Sequence, residues 1–206
     1  MTIGLVSVTV PPHWFGRVLA FPSHTAHHRA GFHRCRTFGS GDFPKLFADF
    51  NATDTVHLIP AVRSPDGSCV DENGCDAELM ISCAIYACGA SFDEANQCAV
   101  DFVDCMDSHT YTTVAKVGAT CAAATGLDFA GLEACFGGDD GAGYLSDASI
   151  RFNAQYPGST YIPAIAIDGA DLGSPSYASV SAAMCAAGST ADACASAAAD
   201  ASRCAV

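Results

Sequence analysis

The chain has 206 residues, half of them apolar and 15% charged, which suits one folded domain with a sizeable core and not a disordered chain. With nine Lys and Arg against 22 Asp and Glu, the net charge of −13 argues against nucleic acid or an anionic membrane surface as partner. No apolar run approaches the roughly 18–20 residues that cross a bilayer, so no membrane span is expected.

Residues 1–41 stand apart. They hold four of the nine basic residues, five of the seven histidines and no acid, so the charge is +4 over residues 1–41 and −17 over residues 42–206. This break marks residues 1–34 as an atypical basic, His-rich segment, either a separate arm or the product of a misjoined or unspliced coding segment. Residues 11–34 show neither the strand nor the helix period. An early strand fits residues 4–10 or 18–21, and the sequence does not choose between them. Residues 2–10 also have the length of a signal-peptide core. However, no Lys or Arg precedes them, and Pro11-Pro12-His13-Trp14 stands where a small-residue cleavage site belongs.

From residue 42 the pattern is regular. Phe43, Leu46, Phe47 and Phe50 predict a helix ending near Asn51. The β-branched, apolar run over 55–62 predicts a strand with Pro60 near its end, and Ser64-Pro65-Asp66-Gly67 has turn chemistry. Helices are predicted over 76–87, 92–106, 110–124 and 128–136, closed by Gly137-Gly138, and again over 144–156. Residues 161–167 predict a strand turning back at Asp168-Gly169, and a last helix runs from about 176 to 187. The chain ends in an Ala-rich stretch, of which 196–206 is expected to be a loosely held tail.

Twelve cysteines, eleven of them beyond residue 68, point to an oxidising compartment in which they serve as crosslinks. The sequon Asn51-Ala52-Thr53 makes Asn51 a glycosylation candidate in the same setting. Cys88 and Cys98 either pair across the turn at 89–91 or remain small core residues. His24, His27, His28 and His33 with Cys35 have the ligand types for zinc. No second cluster completes a structural site, so no metal is expected. No Gly-rich phosphate loop or nucleophile elbow is present.

The cysteines come with further motifs in a fixed order. Cys69-x5-Cys75-x7-Cys83 is followed by Val103-Asp104-Cys105-Met106, by Cys121 and Cys135 flanking a loop and helix, and by Asn153-Ala154-Gln155. Tyr161-Ile162-Pro163 and Asp168-Gly169 come next, then Cys185 and Cys194. Over about 42–195 this series resembles the gamma-interferon-inducible lysosomal thiol reductase family. There are departures. Residues 70–74 replace the family's Gln-His-Gly stretch and are one residue shorter, and Glu78 stands at the offset of its internal Asn.

The resemblance implies an α/β fold, a thioredoxin-like sheet with an α-helical, disulfide-rich insertion over about 75–138 of a domain spanning 35–195. It makes Cys69, Cys75, Cys83, Cys105, Cys121, Cys135, Cys185 and Cys194 structural cysteines. It also implies a thiol–disulfide oxidoreductase that reduces protein disulfides in a lysosomal or extracellular setting. Such an enzyme needs no cofactor and is regenerated by a small-molecule or protein thiol. In that family the active site is Cys-x-x-Cys at the start of a helix, where terminal N–H groups favour the attacking thiolate and the second thiol resolves the mixed disulfide. Here Cys35 and Arg36 fall at the second cysteine and its following Arg, and Phe32 occupies the nucleophile's place. Pro163 is implied as the cis-proline opposite the cysteines. The alternative is a catalytically inactive, thioredoxin-like peptide-binding protein or a disulfide-stabilised structural one.

Overall fold

The computed structural model describes residues 38–52, 54–63, 75–109, 113–157, 164–172 and 176–195, and the backbone alone of strands at 5–9 and 18–20. Five strands form one sheet: β1 Leu5–Thr9, β2 Val18–Ala20, β3 Thr55–Ile59, β4 Ala164–Ile167 and β5 Ala170–Asp171. Both stretches between which the sequence left the early strand open are strands.

β2 runs parallel to β3, with Val18 opposite His57, and antiparallel to β4, with Leu19 opposite Ile165. β1 lies antiparallel to β3 from the Leu5–Ile59 pair to Thr9–Thr55, and meets β2 antiparallel and β4 parallel. All four residues of β4 are buried, which is why its sequence is an unbroken apolar run rather than an alternation. β4 turns into β5 through Asp168 and Gly169, at φ of 51° and 78°. Two successive positive φ values make the tight hairpin turn whose twist matches the strands it joins. Pro60 ends β3, having no N–H for a ladder bond.

Helix α1, Phe43–Phe50, buries all four residues of the predicted stripe. A wide helical turn over Phe38–Asp42 leads into it, which the sequence did not predict. Gly39 in that turn is pressed against Asp107, and a Cβ there would sit 1.8 Å from the Asp107 Oδ2. Only glycine permits this approach.

Between β3 and β4 the chain is helical. α2 is Asp76–Ala87, as the sequence predicts. α3 is Gln97–Ser108, beginning at Gln97 rather than at Phe92, because Asn96 caps it by accepting from the Ala99 N–H at 3.0 Å. Phe92 is buried in the preceding loop, edge-on to Tyr86. α4, Val114–Thr125, stops at Gly126 in the left-handed conformation. α5, Phe129–Phe136, is capped by Asp128. α6, Asp139–Gln155, starts earlier than its apolar stripe suggests. Asp139 and Asp140 suit the positive end of the helix, and Gly141 is buried where a Cβ would meet the Cys135 carbonyl and Leu79. α7, Tyr177–Ala186, opens with a capping box between Ser176 and Ser179.

α2 packs against α3, α4, α5 and α6 and buries residues around its whole circumference. That explains its nearly continuous apolar sequence. Disulfides tie this block: Cys83–Cys135 joins α2 to α5, Cys105–Cys121 joins α3 to α4, and Cys88–Cys98 spans the α2–α3 loop. A fourth, Cys185–Cys194, closes the turn after α7. Cys121 and Cys135, which the family resemblance sets together as one pair, bond instead to Cys105 and Cys83. Of the two readings left open for Cys88 and Cys98, the crosslink is the one formed, their Cα atoms 5.6 Å apart across the turn. All nine cysteines among the described residues are disulfide-bonded. No helix among them is long and apolar enough to cross a membrane.

Candidate functional site

Phe32, Cys35 and Pro163 lie outside the described residues, as do Cys69, the histidines of the basic segment and the tail. The chain from Cys35 enters Phe38–Asp42 and α1, and Pro163 directly precedes β4.

The approach to α1 is built from acids that the sequence did not single out. Asp107, at the end of α3, is buried against Gly39. Asp42 accepts the Tyr177 backbone N–H at 2.8 Å, anchoring the start of α7 beside the start of α1. Along α1, the Tyr177 hydroxyl donates to the Asp49 carboxylate at 2.5 Å, and Lys45 reaches the same carboxylate at 3.1 Å. The Lys45 ammonium also sits over the Tyr177 ring, 3.2 Å from its centre. The Tyr177 hydrogen bond holds the Asp49 carboxyl below its ordinary range against the opposing effect of burial, with Lys45 assisting. One aromatic residue therefore fixes α7 on α1 by backbone, hydroxyl and ring.

A second polar cluster ties the exit of β3 to α6. Asn153 Nδ2 donates to the carbonyls of Arg63 and Ser149, each at 2.8 Å, while its Oδ1 accepts from the Arg63 guanidinium at 3.0 Å. The same guanidinium donates to the Tyr156 carbonyl at 2.8 Å and lies over the Phe152 ring. Burial lowers the Arg63 pKa. The Asn of Asn153-Ala154-Gln155 is thus a clamp on residues 62 and 63. Ala154 is exposed, its methyl group having no polar atom to contribute.

Cys75 is the N-cap residue of α2, buried, in a disulfide whose partner lies outside the described residues. Glu78, one turn on, is fully buried. Asn51 is exposed at the C-terminal end of α1, open to solvent as a glycan acceptor must be. Beyond the C-terminal ends of α1 and α7, Ser189 donates to the buried Asp54 carboxylate at 2.5 Å.

These polar groups were missed for a common reason. Asp42, Asp49, Asp54 and Asp107 sit among 22 acids, and nothing in their spacing separates a buried carboxylate from a solvated one. The single local hint was Ser176-x2-Ser179, a capping pattern that sets Tyr177 at the first position of α7. No family model, curated protein or solved structure matches this chain.

Proposed function

We propose that this chain is a thiol–disulfide oxidoreductase of the gamma-interferon-inducible lysosomal thiol reductase kind, acting on protein disulfides in the secretory pathway with an incomplete active-site motif. The observation that carries this proposal is the order and direction of four strands. β3, β2, β4 and β5 run side by side, with β3 and β2 parallel and β4 antiparallel to both neighbours. A thioredoxin-like sheet has this arrangement, and in such a sheet the active-site cysteines before the first helix and the cis-proline before the antiparallel strand belong at neighbouring strand ends. Cys35 and Pro163 occupy those two places in the sequence. The disulfide-tied helical block between β3 and β4 is the second support, because it lies where the family's insertion belongs.

In this mechanism a thiolate attacks one sulfur of a substrate disulfide. It forms a mixed disulfide and releases the other sulfur as a thiolate. A second thiol one helical turn away then attacks the mixed disulfide, freeing the substrate as a thiol and leaving the enzyme oxidised. An external thiol restores the dithiol. Phe32 supplies no sulfur, so Cys35 alone is left to form a mixed disulfide, which only an external thiol can discharge.

The test is reduction of a fluorescent protein-disulfide substrate by the parent, by Phe32→Cys and by Phe32→Cys/Cys35→Ser. The expected result is little turnover by the parent, turnover well above it for Phe32→Cys, and loss again in the double variant. Parent activity equal to that of Phe32→Cys overturns this assignment of the active site. A folded Phe32→Cys protein that binds peptide without exchange supports the alternative, a peptide-binding protein.

A further inference from the structure

We propose that Cys105, His109 and Cys121 form a redox-gated site for a soft divalent cation such as zinc, closed while the cysteines are a disulfide and opened when they are reduced. The three residues come from two helices and the loop between them. Cys105 lies in the last turn of α3, His109 caps that helix, and Cys121 faces them from α4. The Cys-x3-His spacing sets Cys105 and His109 one turn apart on the same side. The Cys105 Sγ is 3.8 Å from the His109 Nδ1, and one ligand atom from each of the three residues lies within 4.8 Å of the others. Tetrahedral zinc with Zn–S near 2.3 Å and Zn–N near 2.0 Å holds its ligand atoms about 3.5–3.8 Å apart. Opening the S–S bond and turning two side chains is therefore enough to seat an ion, with no movement of the helices.

The residue types fit the cation. Two thiolates and an imidazole form the donor set that selects zinc or another soft ion over calcium and magnesium, and three protein ligands leave the fourth position to water or a substrate group. Among the described residues this is the one group of three such ligands. Cys121 is buried, Cys105 half-buried and His109 exposed, so the imidazole is the ligand that faces solvent. An ion entering from the His109 side meets the imidazole first.

The chemistry balances with a named reductant. A dithiol attacks the Cys105–Cys121 bond, is itself oxidised to a cyclic disulfide, and leaves two protein thiols. Binding of the cation releases both thiol protons. In the oxidised protein the His109 Nδ1–H donates to the Cys105 carbonyl at 2.8 Å. Ligation through that nitrogen moves the hydrogen to Nε2, on the exposed ring. The site thus exchanges a covalent staple between α3 and α4 for a metal staple in the same place.

The experiment uses the full chain, treated with limiting dithiol and freed of it, with alkylation mapping to show which pair has opened. Zinc binding is then titrated, and cobalt(II) is used to reveal thiolate ligation by its absorption. One equivalent bound by the reduced protein and none by the oxidised protein is the expected result. Cys105→Ser/Cys121→Ser abolishes binding under the same treatment. His109→Ala, on an exposed residue that leaves the fold intact, weakens it by more than about tenfold, since loss of even an outer-shell partner costs that much. The proposal is overturned if His109→Ala binds like the parent or if the double-serine variant keeps its cobalt spectrum. It fails equally if Cys105–Cys121 survives reduction until the protein unfolds.

Discussion

The helical block and the sheet side of this molecule are held by different means. Between α2 and α6 the ties are covalent, with Cys83–Cys135, Cys88–Cys98 and Cys105–Cys121 joining neighbouring helices around an apolar α2. Around the sheet, among the described residues, one disulfide closes a short loop after α7, and α7 is held to the α1–β3 segment by carboxylates. Asp42 and Asp49 hold Tyr177 across 135 and 128 residues of sequence, and Asp54 holds Ser189 across 135. A disulfide acts chiefly by restricting the unfolded chain and is indifferent to mild acid. A hydrogen bond to an ionised carboxylate is indifferent to thiols and is lost when the carboxylate protonates. Reductant therefore acts chiefly on the helical block, and acid on the contact where Tyr177 holds the Asp49 carboxyl below its ordinary range.

The largest effect that sharpens this contrast is loss of the longest crosslink among the described residues. Cys83–Cys135 closes a loop of 52 residues, and on chain-entropy grounds Cys83→Ala/Cys135→Ala is expected to cost about 4 kcal/mol. The corresponding change at Cys185–Cys194, whose loop is nine residues, costs about 2.5 kcal/mol. Urea unfolding of both variants measures the difference, and equal losses would show that loop length does not govern the block.

Next in size is Ser189→Ala. It removes a donor from a buried carboxylate, and a hydrogen bond to a charged group contributes about 1.5–3 kcal/mol. The expected outcome is a loss of that size at neutral pH with every disulfide intact. A loss under about 0.5 kcal/mol, the low end for any hydrogen bond, would mean that Asp54 does not depend on this donor.

Tyr177→Phe is smaller and carries the acid signature. It removes the hydroxyl that holds the Asp49 carboxyl below its ordinary value of 3.8. A depressed carboxylate contributes stability that is complete above the unfolded pKa and is lost as pH falls through the folded one. The parent is therefore expected to exceed Tyr177→Phe by about 0.5–1.5 kcal/mol at neutral pH, the usual range for one hydrogen bond. That gap should close below about pH 4, near the carboxylate reference value. A gap independent of pH would attribute the effect to packing of the ring alone.

What the sequence disclosed follows the same division. The helices of the block were legible because an apolar stripe repeats at helical spacing, and α2 and α1 fall where Leu79 to Ala87 and Phe43 to Phe50 place them. The starts of α3 and α6 were misplaced because Asn96 and Gly141 act through a cap and a close contact, which carry no period. The number of cysteines announced crosslinking, but their partners depend on which helix ends meet. Cys121 and Cys135 are close in sequence and bond to residues on two other helices. Carboxylate ties were illegible altogether, since Asp54 and an exposed acid such as Asp93 look alike in the sequence.

The smallest expected effect lies where the two halves meet. His57, on β3, is mostly buried, and its Nδ1 is 3.6 Å from the Asp93 carboxylate in the loop before α3. Asp93 is also paired with Arg151 on α6, whose Nε donates to Asp147 at 2.9 Å. Burial lowers the His57 pKa below its ordinary 6.5, Asp93 opposes that by charge and hydrogen bond, and Arg151 adds to the lowering. The sign of the linkage follows. With the folded pKa below the unfolded one, the unfolded chain binds the proton more tightly, so a destabilising contribution is absent above pH 6.5 and grows as pH falls toward the folded value. In Asp93→Asn the only groups that raised the pKa are gone while Arg151 remains. The His57 titration is expected to move further down and the acid-side penalty to increase. The imidazole resonances, followed by NMR through the titration in both proteins, decide the matter. A His57 pKa in Asp93→Asn that is unchanged or higher would show that the carboxylate does not reach across from the helical block, leaving the Arg63–Asn153 clamp as the polar tie between β3 and α6.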